Sequence, residues 1–225
     1  MIKSFLSRYR HLFWLLLYIP QVTLFFVTQR MEPVWTVHSR LDDLIPFCKY
    51  FIVFYVIWYG YVFFSLFWLG FQNKTDFLRA VFFCLLGVYL SQIFMLICPT
   101  QIDFRGDAYA AEGSDFFSFL VRFIYAHDNP RNVFPSLHCF EAVAIHIVVN
   151  HSETGKKIRW YYPISLFTAV MICLSTVFVK QHSVLDLFSG VALALLLVPV
   201  VYRIPWKFLR RPEKEKLSVP EPAER

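Results

Sequence analysis

Residues 47–69 read FCKYFIVFYVIWYGYVFFSLFWL and carry a single charge, Lys49. A hydrocarbon core is crossed by about 20 consecutive apolar residues in a helix, so this run has the length and composition of a membrane span. Working outward, five more apolar runs appear at Leu12–Val27, Phe77–Cys98, Ser136–Val149, Trp160–Phe178 and Ser183–Ile204. With 57% hydrophobic and 20% aromatic residues, the chain has too little polar surface for a soluble domain. The expected fold class is therefore all-α: an integral membrane six-helix bundle spanning 1–205 as one domain. A charged, Pro-containing cytoplasmic tail follows at 206–225. The first run is short and should kink at Pro20; the fourth is also short.

Charge bias orients the spans. With the N-terminus inside, 15 of the 22 basic residues fall on the inner side. Seven remain outside: Arg30, Arg40, Lys49, Arg105, Arg122, Arg131 and Lys180. The positive-inside rule then predicts a multi-pass cell membrane protein with both termini cytoplasmic. The net charge of +6 speaks for contact with anionic lipid, not nucleic acid. The basic start leads into the first apolar run without a small-residue cleavage pattern, as a retained first span would. Five scattered cysteines without a CxxC pair suggest neither a disulfide scaffold nor a zinc cluster. No cofactor or metal is expected, and the oligomeric state is left open.

The polar signals gather in two segments that this topology puts on the outer face. One is the stretch Pro99 to Pro135, ending in Pro135-Ser136-Leu137-His138. The other runs from Ser175 through Lys180-Gln181-His182 to Asp186. His182 and Asp186 are one helical turn apart, so their side chains share a face. A carboxylate there accepts the Nδ1 proton of His182 and leaves Nε2 free as a nucleophile. A lone carboxylate inside an apolar run costs about 2.5–3.5 kcal/mol, which points to function. His138 opens the fourth span, whose positive helix end, like that of the sixth, should face the outer pocket and favour an anion. Arg105, Lys180 and Arg131 are the outer cations nearest these signals, and together could neutralise a phosphate and its transition state. His127, His146 and His151 lack such company and read as structural.

These segments resemble the type-2 phosphatidic acid phosphatase superfamily, which includes lipid phosphate phosphatases and sphingolipid headgroup transferases. Its signatures are P-S-G-H and S-R-x5-H-x3-D, preceded by K-x6-R-P. Pro135-Ser136-Leu137-His138 matches the first apart from Leu137. Ser175, Thr176, His182 and Asp186 match the second, with Thr176 in place of Arg. Arg105 fits the leading motif, whereas Cys98 stands for its Lys and Gly106 for its Pro. Phe-Pro-Ser-Leu-His with Lys-Gln-His is similar to the inositol phosphorylceramide synthase-like (inositolphosphotransferase) branch and its bacterial relatives. The run Asp42-Asp43-Leu44-Ile45-Pro46-Phe47 is a weaker echo of the same branch.

The resemblance implies a metal-independent, two-step displacement at the extracytoplasmic face, acting on a lipid phosphate or phospholipid. His182 would form a phosphohistidine, Asp186 would orient it, and His138 would serve as general acid and then base. Ser136, Arg105, Lys180 and Arg131 would bind substrate, with Lys180 or Arg131 replacing the missing motif cations. Water as acceptor makes a phosphatase; a lipid hydroxyl makes a transferase, towards which the altered motifs lean. The rival reading is an ion-coupled transporter relaying protons through intramembrane His and Asp. It calls for titratable groups near mid-membrane, whereas those singled out here sit at outer span ends. A glycerolipid acyltransferase would need a His-x4-Asp spacing on the cytoplasmic face.

Overall fold

The computed structural model describes residues 9–106 and 113–206. The expected charged tail from 207 onward, with its basic residues, and Lys3 and Arg8 lie outside the described residues. Among the described residues the regular structure is helical apart from one pair of two-residue strands, as expected for the all-α class. The elements are a 3-10 helix Arg10–Leu17 that runs into α1 (Tyr18–Thr28), β1 (Trp35–Thr36), α2 (Arg40–Leu44) and a 3-10 turn Lys49–Phe51. Then come α3 (Ile52–Gln72), α4 (Lys74–Ile97), β2 (Thr100–Gln101), α5 (Phe116–His127), α6 (Leu137–His151), α7 (Tyr161–Phe178) and α8 (Val184–Arg203).

Five helical stretches among the described residues are long and apolar enough to cross a membrane: Arg10–Thr28, Lys49–Gln72, Lys74–Ile97, Tyr161–Phe178 and Val184–Arg203. Their outward faces carry large exposed side chains such as Phe63, Phe64 and Leu196, which suit lipid contact. The sixth helix, α6, has 15 residues, so it rises only about 22 Å. It can be short because protein encloses it. It packs against α3, α4, α7 and α8, and Cys139, Phe140, Ala142, Ala144, Ile145 and Val149 are fully buried.

Local chemistry sets the helix ends. Asn73 caps α4 by accepting from the Thr75 and Asp76 amides. Ser136 caps α6 through the Cys139 amide. Pro135 therefore precedes the cap instead of occupying the first helical turn. The first span changes from 3-10 to α geometry at Tyr18, two residues before Pro20, which sits in the first α-turn where its missing N–H costs no bond.

The stretch between α4 and α6 holds two elements. β2 pairs in parallel with β1, Trp35 opposite Thr100. The amphipathic α5, capped by Asp115, lays Val121, Ile124 and Tyr125 against Ile52 and Tyr55. Its twelve residues are too few to span a membrane.

Two glycines let α6 reach its neighbours. A Cβ on Gly87 would fall 1.9 Å from the Phe140 ring. One on Gly190 would lie 2.4 Å from the Ser136 carbonyl oxygen, which is backbone and cannot yield cheaply. The first turns of α6 and α8 are thus held together, and the Ser136 amide donates to the Asp186 carbonyl at 3.2 Å.

Candidate active site

His182 sits in the turn between α7 and α8. That turn is wound on one carbonyl: the amides of Gln181 and His182 both donate to Thr176 O, at 2.9 and 3.0 Å. Lys180 takes the left-handed conformation, φ 54°, which costs a non-glycine residue roughly 1–2 kcal/mol. Its ammonium holds the turn there by donating to the carbonyls of Asp42 and Ile45 in and beside α2.

The His182 Nδ1 lies 3.1 Å from the Val133 carbonyl and 3.3 Å from Asp186 Oδ2. Both are acceptors, so Nδ1 carries the proton and Nε2 keeps its lone pair. Asp186 Oδ2 also accepts the Ser183 amide at 2.9 Å, closing a capping box with Ser183 at the start of α8. Burial pulls the His182 pKa down, but the Asp186 carboxylate outweighs it, helped by Cys139 and Asp128, and the net shift is upward.

His138 faces it from α6. The two imidazoles stand 5.5 Å apart, centroid to centroid, at 64°. Tyr55 and Trp58 of α3 cover the His138 ring at 4.3 and 4.1 Å. Both histidines open on a cavity of about 790 Å³ between α1, α3, α5 and α6. Its wall is mainly apolar, with Leu15, Phe25, Leu66, Val88 and Phe123 among the lining residues.

Of the four side chains expected to bind substrate, Arg131 alone lines this cavity. It bonds the Met31 carbonyl and pairs with Glu32 at 3.3 Å, whose side chain is 85% exposed. Ser136 is spent on the α6 cap. Arg105 stacks on Tyr125 and donates to the carbonyls of Asp128 and Tyr125 and to Gln181 Oε1. Lys180 is turned to α2, as above. These three stand behind the wall and shape it. The positions that lack the motif cations are filled otherwise: Thr176 bonds the Cys173 carbonyl and packs on Cys139, and Cys98 closes α4.

Four side chains without a cationic motif role line the wall instead. The side-chain nitrogens Trp58 Nε1, Asn132 Nδ2, His138 Nε2 and Gln181 Nε2 are buried and have no hydrogen-bond partner among the described residues. Arg105 orients Gln181 by taking its carbonyl oxygen, and the Thr100 amide takes the carbonyl oxygen of Asn132, so each amide presents its NH2 elsewhere. Asn132, like Lys180, has a left-handed backbone, φ 55°.

The sequence reading also missed Asp128, Asp42 and Glu141. Asp128 lines the cavity and accepts from Tyr55 OH and from Gln29 at 3.4 Å; burial raises its pKa against the opposing pull of Tyr55, His182 and Arg105. Asp42 belonged to a run noticed only as a family echo. It is 2% exposed and caps α8 from outside: Oδ1 accepts the Val184 amide at 2.8 Å and Oδ2 accepts Ser183 Oγ at 2.6 Å. Glu141 sits one turn beyond His138 in α6, in an apolar run that gave no sign of a site. Among the described residues no group of three or more His, Cys, Asp or Glu side chains is placed to hold a metal ion. His146 and His151 bond within their own surroundings, to Ser165 and to the Ile147 carbonyl, as structural residues do.

No curated protein and no solved structure matches this chain. A family model does: that of the PAP2 superfamily covers residues 77–210, from the first turn of α4 through both histidine segments. The match takes in more than half of the sequence, so this multi-pass helical membrane protein belongs to the PAP2 superfamily and is an enzyme acting on phosphoric esters.

Proposed function

We propose that the protein transfers a phosphoryl or phospho-headgroup from a lipid-type phosphoester by way of a phosphohistidine on His182. One observation carries the reading. His182 lines one apolar cavity together with Trp58, Asn132, His138 and Gln181, each of which carries a buried, unpartnered side-chain nitrogen. Buried donors without acceptors are costly, about 1–3 kcal/mol each, unless a ligand satisfies them. Phosphoryl oxygens are such acceptors, and fixed donors that meet charge as it develops are the usual source of transition-state stabilisation. Neutral amides would thus do what Lys and Arg do in the family motifs. Arg131 adds a cation: its exposed pair with Glu32 is weak enough to exchange for phosphate. His138 would protonate the leaving oxygen and then activate the acceptor. Burial of both histidines, 8% and 7% exposed, restricts water and favours a lipid hydroxyl as acceptor.

The test is to incubate purified protein with phosphatidic acid, undecaprenyl diphosphate, or phosphatidylinositol plus ceramide, separating free phosphate from lipid product. Turnover is expected to survive EDTA and to be inhibited by vanadate, which mimics pentacoordinate phosphorus. Loss on chelation, restored by one divalent ion, would replace this mechanism with a metal-dependent one.

We further propose that the site opens on the extracytoplasmic face, on the strength of the basic-residue asymmetry. In a background lacking the partly exposed Cys48 and Cys98, Arg40→Cys beside the site should react with an impermeant maleimide in intact cells. Lys156→Cys, at the opposite end of the bundle, should not. The reverse pattern would invert the orientation.

A further inference from the structure

The cavity extends past the histidines to a second set of polar groups that the phosphate chemistry does not use. Glu141 lies three residues beyond His138 on α6, hence about 4.5 Å deeper along the helix, and lines the same cavity. It is 4% exposed. Tyr18 OH donates to its Oε1 at 3.4 Å, whereas its other oxygen has no partner among the described residues. Gln21, one turn along α1 from Tyr18, also lines the cavity, and its side-chain amide makes no hydrogen bond to a described residue. Leu15, Leu66 and Val88 make the surrounding wall apolar. An ionisable side chain at this depth is expensive and calls for a functional account.

We propose that Glu141 and Gln21 bind the acyl carbonyl that joins the chains of a lipid to its phosphorylated end, so that the cavity selects acyl-linked lipids over polyprenyl phosphates. This rests on the phosphotransfer reading above. The geometry suits it, because in a diacyl lipid the carbonyls come a few bonds beyond the phosphate, about one helical turn below the histidines. A Glu141 acid and the Gln21 amide are both hydrogen-bond donors, and Tyr18 fixes the carboxyl by holding its first oxygen. A polyprenyl phosphate has only hydrocarbon there. It would leave both groups unpaired, and a polar site rejects a ligand lacking the matching group far more strongly than an apolar site rejects an extra one.

The experiment compares kcat/KM for phosphatidic acid and for a polyprenyl monophosphate, each with ceramide supplied as hydroxyl acceptor, in the wild type, Glu141→Gln, Glu141→Leu and Gln21→Leu. The wild type should prefer the acyl lipid. Glu141→Leu and Gln21→Leu should each lower the acyl-to-polyprenyl ratio by about tenfold, the worth of one hydrogen bond. Glu141→Gln, which keeps a donor, should retain most of the preference. Should Glu141→Leu fail to fold, Gln21→Leu carries the same test. Equal rates on the two lipids in the wild type, or a ratio that the leucine variants leave unmoved, would sink this inference. So would Glu141→Gln losing as much selectivity as Glu141→Leu, the mark of a proton-relay role. Absence of turnover with either lipid would instead count against the phosphotransfer reading itself.

Discussion

Replacing His182 with alanine should abolish turnover of every phosphoester, whatever its leaving group. The covalent step needs an imidazole nitrogen with a lone pair, and the Val133 carbonyl and Asp186 assign that role to Nε2. His138→Ala should behave differently. General acid–base catalysis typically contributes about 10²–10⁴-fold, so a loss of that order is expected with a lipid alkoxide as leaving group. A nitrophenyl phosphate departs without a proton, and its first step should be largely spared. The second step still needs a base, so an acid-labile phosphorylated His182 should accumulate and be trapped by acid-free quenching. Asp186→Asn should fall between the two, since His182 survives without its anionic acceptor. The pH profile carries a sign: His182 must be unprotonated at Nε2 to attack. Because Asp186 raises its pKa above the ordinary value near 6.5, activity should fall as pH drops through that raised value. Equal inactivity of His138→Ala with both leaving groups, together with a burst from His182→Ala, would reverse the two roles.

Loss of the Asp42 carboxylate should destabilise the fold and disturb the histidine site together. Asp42 serves two helices at once. It accepts the Ser39 amide at 2.8 Å, closing the capping box of α2, and it receives Ser183 Oγ and the Val184 amide at the start of α8. Asp42→Ala leaves these donors buried and unpaired, and removes an anion from the positive end of α8. Hydrogen bonds to a charged group are worth about 1.5–3 kcal/mol, so a loss of roughly 3 kcal/mol, or about 10 °C in Tm, is expected. Activity should fall through kcat more than KM, because the displaced turn is the one that aims His182 and Asp186. Asp43 is the control. It lies next in sequence, but its side chain is 61% exposed and pairs with His38 at the surface. Thermal unfolding in detergent should separate the two: Asp43→Ala should stay close to wild type. Equal shifts would mean that general surface charge, not the cap on α8, accounts for the effect.

What the amino-acid order determined by itself is whatever depends on neighbours along the chain. A span is legible because some twenty apolar residues must lie in one helix to satisfy their own backbone bonds in lipid. The pairing of His182 with Asp186 is legible because a helical turn sets it, and the cap by Ser183 comes with it. α5 was not legible, since its single apolar stripe needs Ile52 and Tyr55 to make sense of it.

The rest of the site belongs to the tertiary structure. Lys180 read as a phosphate ligand because a cation beside a nucleophile suggests one. Only the fold reveals that its ammonium meets the carbonyls of Asp42 and Ile45, some 135 residues earlier. Asp42 in turn reaches across 142 positions to Val184. Asn132, His138 and Gln181 come from different turns, and nothing in their spacing announces that their nitrogens would share one wall without acceptors. Glu141 reads as one polar residue in a span until α1 sets Tyr18 beside it. Periodicity encodes which face of a helix is apolar; which polar groups remain unpaired once the faces have met is decided by packing alone.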